Sequence, residues 1–258
     1  MLIHPTIDNM KTLKLFAMVR TLETQMEIKD IEEMNFTDRL GLLVDAELIA
    51  RENKRLQSRL STAKLRLSAC IEDLDIKANR GLDRTVIASL ATSEWLKRHQ
   101  NIIITGLCGA GKTYVACALA QRACRDGYTV IYERAPKLFQ DLALAKADGR
   151  YHKIMTNLAK KDLIIIDDFA LAPLTDEQRR DLLEIVEERY DRRSTMMVSQ
   201  VPTNYWHDII GDPTIADAIL DRLIHNAHKL ALKGKTRRKP PDEETEDYEN
   251  EEKKEGDK

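Results

Sequence analysis

Apolar positions along this chain follow one period at the start and another from the middle onward. Up to about Ala69 the spacing is helical throughout, with no glycine but Gly41 and no proline after Pro5. Leu15, Met18, Val19, Leu22 and Met26 fall on one helical face and predict a helix within Met10–Glu33. A second helix is expected from about Thr37-Asp38, capped by Asn35 or Thr37. Through Arg51–Arg66 the same period sets Leu56, Leu60, Ala63 and Leu67 on one stripe and Arg51, Arg55 and Arg59 on another. A linker-like stretch, Ile71–Gly81, leads to one or two helices in Leu82–Gln100. Short apolar runs then alternate with helical ones. Strands are expected at Ile102–Thr105, Thr129–Tyr132, Leu163–Asp167, Thr195–Ser199 and Lys229–Leu232, and helices over 112–125, 136–147, 176–191 and 214–227. Strands apolar on both faces and separated by helices predict a parallel α/β sheet. Right-handed crossovers would bring the strand C-termini to one edge, where such folds bind ligands.

Composition changes this picture at the C-terminal end. The 258 residues are 43% hydrophobic and 33% charged, enough for one sizeable domain and a smaller one. The net charge of -2 hides a polarity: Asp242–Lys258 holds ten acidic and three basic residues, leaving +5 on Met1–Pro241. That stretch is poor in apolar residues and is expected to be disordered. The domains are therefore drawn as 1–69, helical; 70–239, α/β; and 240–258, an acidic tail. Cys70, Cys108, Cys117 and Cys124 show no metal-ligand spacing and no disulfide framework. No run approaches the ~20 apolar residues of a membrane span and no signal-peptide core opens the chain, so a cytoplasmic protein is expected.

The strongest chemical signal is Gly106-Leu107-Cys108-Gly109-Ala110-Gly111-Lys112-Thr113, set between the first strand and its helix. This is the spacing of a phosphate-binding loop. Glycines let the backbone turn its N–H groups onto phosphate oxygens at a helix N-terminus. Lys112 would reach the β- and γ-phosphates of ATP, and the Thr113 hydroxyl would lie on Mg²⁺. Leu163–Ile166 then runs into Asp167-Asp168, 54 residues beyond Thr113, as a buried strand delivering two carboxylates. Asp167 suits Mg²⁺, and Asp168 stands where a carboxylate can orient the attacking water. Gln200, and after it Ser199, could bond that water and the γ-phosphate; a polar strand end entering the Pro202 turn accounts for them equally well. Arg222 fits either a γ-phosphate contact in a neighbouring subunit or an ion pair with Asp221. Arg237 and Arg238 fit a second nucleotide sensor or DNA phosphates. Arg51, Lys54, Arg55 and Arg59 fit DNA backbone binding or a solvated helix face, with Lys137, Arg150 and Lys153 as further basic candidates.

In order and spacing these motifs resemble the IstB-type ATP-binding proteins of insertion sequences, an AAA+ group on the DnaA/DnaC-like branch. The resemblance spans Leu13–Lys239. Its pieces include Phe36-Thr37-Asp38-Arg39-Leu40, Arg51-Glu52-Asn53-Lys54-Arg55-Leu56, Gly81-Leu82-Asp83-Arg84, Ile166-Asp167-Asp168-Phe169, Ser199-Gln200-Val201-Pro202, Ala218–His225 and Gly234-Lys235-Thr236-Arg237-Arg238. It implies an AAA+ P-loop fold with a five-stranded parallel sheet and a helical N-terminal domain. It also implies ATP and Mg²⁺ as cofactors, ATP-dependent self-association, duplex DNA binding, and a transposase partner served in target capture. By position it makes Arg222 a trans-acting finger and Arg238 the second-sensor arginine. A replicative helicase loader, or a DNA scaffold that binds ATP without hydrolysing it, are the alternatives. Thr236 where serine is usual, Cys108 inside the loop and the acidic tail depart from the pattern.

Overall fold

In the computed structural model, residues 5–75 and 81–233 are described. They fall into two units that divide between Ser61 and Thr62. Helices α1 (Pro5–Thr12), α2 (Phe16–Glu27) and α3 (Phe36–Ala63) supply the first. The single helix expected within Met10–Glu33 is broken at Lys14, which is left-handed at φ 59°. There the Lys14 N–H bonds the Lys11 carbonyl and the Leu15 N–H bonds the Met10 carbonyl, the paired bonds of a Schellman stop. Asn35 begins α3, its side chain accepting from the Asp38 N–H at 2.9 Å. Glu47 joins α2 to α3. One carboxylate oxygen takes the Ala17 and Met18 N–H groups at the start of α2, at 2.9 and 3.3 Å, and the other takes Arg51 Nε at 2.8 Å. α3 ends at Ala63, with Lys64 left-handed (φ 51°). Leu67 is therefore not on the stripe with Leu56 and Leu60, and Arg66 is not on the helix.

The second unit carries α4 (Arg84–Leu90) and α5 (Glu94–Lys97), then β1 (Asn101–Gly106), α6 (Lys112–Arg125), β2 (Val130–Arg134) and α7 (Ala135–Ala147). There follow α8 (Tyr151–Lys160), β3 (Leu163–Phe169), α9 (Asp176–Arg189), β4 (Ser194–Ser199), α10 (Trp206–Ile210), α11 (Pro213–Ile224) and β5 (Ala227–Leu232). The strands form one parallel sheet in the order β2-β3-β4-β1-β5. Leu163 to Ile166 are fully buried, as a sheet covered on both faces requires. α8 was absent from the expected helices, although Tyr151, Ile154, Met155 and Leu158 keep its period; the apolar face packs into the main core. Phe169 and Trp206 meet edge to face at 4.9 Å between ring centroids, fixing the end of β3 against α10.

Buried Arg189 ties the start of β3 and β4 to the end of α8. Its guanidinium donates to the Leu158 and Lys161 carbonyls at 2.6 and 2.8 Å, to Thr195 Oγ1 at 3.2 Å, and to the Ser194 carbonyl. Cys117 and Cys124 are buried on α6, and burial pushes the Cys117 thiol above its ordinary pKa. Among the described residues no helix is long and apolar enough to cross a membrane, and no group of metal-ligating side chains forms a closed site. Arg237, Arg238 and the acidic stretch from 240 onward lie outside the described residues.

Candidate nucleotide site

The C-terminal ends of β1, β3 and β4 converge beside the N-terminus of α6, as the crossover topology dictates. Gly106 ends β1 at φ 148°, and a Cβ there would lie 2.5 Å from the Leu232 carbonyl oxygen, so any side chain collides with β5. Gly111 caps α6 at φ 93°, a left-handed turn that leaves the helix's first N–H groups facing outward. The first turn of α6, capped by a glycine and carrying the positive end of the helix dipole, makes this an anion cradle. Lys112 is buried beneath the loop and donates to the Gly106 and Leu107 carbonyls at 2.8 and 2.9 Å.

Across the cradle, Thr113 Oγ1 donates to Asp167 Oδ2 at 2.8 Å. Tyr132 reaches the same oxygen from β2 at 2.6 Å, and the Asp168 N–H holds the other oxygen at 2.7 Å. Burial, and then this bond to Asp167, push the Tyr132 hydroxyl far above the ordinary tyrosine pKa, so it stays a donor. Asp168 is left-handed (φ 57°) where the β3–β4 register shifts between Ile166 and Phe169. Such an irregularity re-aims the strand's last side chains. Its carboxylate accepts Arg134 Nε at 2.8 Å, and Arg66 stands 3.6 Å from the same oxygen. Arg66, Leu67, Cys108, Gly109, Lys112, Thr113, Asp168 and Gln200 are among the residues lining a cleft of about 310 Å³, a size that suits a nucleotide.

Most of the expected site residues are thus brought together. Ser199 is not among the cleft's lining residues. It is fully buried, donates to the Phe169 carbonyl at 2.8 Å and accepts from the Val201 N–H at 3.0 Å. Arg222 lies at the other end of the sheet. Asn101, the first residue of β1, donates to the Arg222 carbonyl at 3.1 Å, whereas the loop begins at the last residue of that strand. A six-residue strand spans about 17–20 Å. Arg222 pairs with Glu187 at 3.0 Å rather than with Asp221, and stacks over Tyr190 at 5.8 Å. On α3, Lys54 and Arg55 are exposed, Arg59 is half-buried, and Arg51 is engaged by Glu47. The sequence reading had not assigned Arg66, Arg134 or Tyr132 to the site. Tyr132 and Arg134 lie on the strand beside β3, a placement that needs the strand order, and Arg66 becomes visible only once α3 stops at Ala63.

A 5-1-4-3-2 parallel sheet, a glycine-rich loop opening α6 and paired carboxylates ending β3 define a P-loop ATP-binding protein of the AAA+ type. Solved structures agree on the fold. The DnaC helicase loader superposes with a TM-score of 0.53 at 15% identity, covering 64% of this chain and 97% of that one. AMPPCP-bound DnaA from Aquifex aeolicus gives a TM-score of 0.53 at 19% identity, covering 67% of this chain and 53% of that one. Within that class the chain belongs to the IstB-like ATP binding protein family, whose model matches residues 8–245. An insertion sequence ATP-binding protein of Sinorhizobium fredii, y4pL, is 46% identical over 239 residues, which cover 93% of this chain and 98% of that protein.

Proposed function

We propose that this chain is an ATP-hydrolysing, DNA-binding helper of insertion-sequence transposition. It self-associates on duplex DNA and assists a transposase in choosing its target. The observation that carries this reading is the meeting of Lys112, Thr113, Asp168 and Gln200 around one cleft, with buried Asp167 bonded to Thr113, in a chain of an insertion-sequence ATP-binding family.

The donor set fits Mg²⁺. A threonine hydroxyl and a carboxylate oxygen 2.8 Å apart are hard oxygen ligands, and Mg²⁺ takes few protein ligands beside substrate phosphates. Thr113 and Asp167 would hold it, and it would supply charge neutralisation for phosphoryl transfer. The protein's own part is positional. The α6 amides and Lys112 bind the phosphates, while Asp168 and Gln200 orient water for attack in line with the leaving group. Arg222, at the far end of β1, is out of reach of its own cleft and is suited to one on a neighbouring subunit, where it would stabilise transition-state charge. Arg238, outside the described residues, keeps the second-sensor role that the family resemblance implies. DNA phosphates are taken by Lys54, Arg55 and Arg59, with Arg51 held by Glu47 at the edge of that row.

One observation favours a second reading, an ATP-controlled scaffold with little turnover: Asp168 is engaged by Arg134 rather than free to hold water. The family match across the N-terminal helices weighs against a helicase loader. DNA binding is tested by duplex titration with a non-hydrolysable ATP analogue at several salt concentrations. Affinity should fall by about tenfold or more over a modest salt increase, and reversing Arg55 and Arg59 to Glu should flatten the salt slope. Binding unchanged by salt and by charge reversal would remove DNA from this face of α3.

A further inference from the structure

Arg66 follows the basic row of α3 in sequence but departs from it in space. α3 stops at fully buried Ala63 and Lys64 turns left-handed, so the chain leaves the helix axis two residues before Arg66. Arg66 and Leu67 then line the nucleotide cleft. The guanidinium lies 3.6 Å from Asp168 Oδ2, the oxygen that also takes Arg134 Nε. The Tyr132 hydroxyl beside it helps raise its pKa above the ordinary arginine value. Tyr132 in turn donates to Asp167, which accepts from Thr113. Arg66 therefore reaches both carboxylates at the end of β3, one directly and one through a phenol.

Those ties are easily exchanged. At 3.6 Å the contact with Asp168 is longer than a hydrogen bond, and the Arg66 side chain is 42% exposed, so the ion pair is weak. A triphosphate on the loop of α6 would bring a far denser negative charge into the same cleft. A planar guanidinium fits phosphate oxygens in paired bonds, better than it fits a carboxylate at this distance. We propose that Arg66 reads the terminal phosphate. It rests on Asp168 and Tyr132 when the cleft holds a diphosphate, and transfers to the γ-phosphate when the cleft holds a triphosphate. That exchange withdraws one cation from Asp168 and leaves more of the carboxylate to orient water. The inference rests on the reading of this cleft as an ATP site, and gives the chain a cis-acting cation distinct from Arg222 and Arg238.

The test uses the full chain and calorimetric titration with ADP and a non-hydrolysable ATP analogue, in the parent and in Arg66→Ala, Arg66→Lys and Lys112→Ala. Arg66→Ala should weaken the triphosphate about tenfold, the size of one charge-assisted contact, and change ADP affinity by less than about twofold. Arg66→Lys should recover part of the loss, since it restores the charge without the fork. A purely structural role would lower both affinities together. Equal losses for the two nucleotides, or an unchanged triphosphate affinity in Arg66→Ala, would overturn the proposal. Lys112→Ala binding both nucleotides as tightly as the parent would instead overturn the ATP site itself.

Discussion

Ser199→Ala separates a latch from a catalytic group. The hydroxyl bridges the Phe169 carbonyl, just past Asp167-Asp168, to the Val201 N–H, just past Gln200, in a fully buried position. Alanine fits the space but strips both backbone groups of this partner. An unmatched buried polar group costs about 1–3 kcal/mol, and because the two share one site their losses overlap, to about 2–4 kcal/mol together. For a unit of this size each kcal/mol lowers the melting midpoint by about 2–4 °C, so a drop of about 4–16 °C is expected. Thermal unfolding followed by circular dichroism measures it, and ATP turnover well below the transition measures chemistry. Turnover should fall only a few-fold, because Gln200 rather than Ser199 lines the cleft. A midpoint within about 1 °C of the parent's, with turnover down a hundredfold or more, would refute this and return Ser199 to the attacking water.

Two further outcomes are expected. Glu47 is held below its ordinary pKa of 4.5, first by its hydrogen bond to Arg51 and then by the Ala17 and Met18 N–H groups, with burial opposing. A depressed folded-state value means the stabilisation is full above pH 4.5 and is lost as the pH falls through the folded value. Across that acidic window the melting midpoint should rise with pH for the parent and rise less for Glu47→Gln. Arg222→Ala and Lys112→Ala should each abolish turnover, and mixing the two proteins should restore a measurable fraction, since a mixed interface pairs an intact loop with an intact arginine; no recovery would place Arg222 outside the reaction.

The alternating period carried the sheet, its five strands and the loop, because a strand buried on both faces and a P-loop leave dense local signals. Departures arose where one residue's backbone decided the outcome. Lys14 and Lys64 both adopt left-handed conformations that the surrounding apolar period does not reveal. The first splits a helix, and the second takes Arg66 off the expected Arg51–Arg66 helix and into the nucleotide cleft. Tyr132 and Arg134 were missed because strand order, not spacing, puts β2 beside β3. Ser199 and Gln200 read alike as polar strand ends. Which one lines the cleft depends on strand alternation together with the shifted β3–β4 register.

ATP turnover by the parent, by Lys112→Ala and by Asp168→Asn, each with and without duplex DNA, tests the central claim most directly. The parent rate should rise with DNA and fall by a hundredfold or more in both variants, with nucleotide binding lost in Lys112→Ala and kept in Asp168→Asn. A parent rate no higher than that of either variant would contradict it and leave an ATP-binding scaffold.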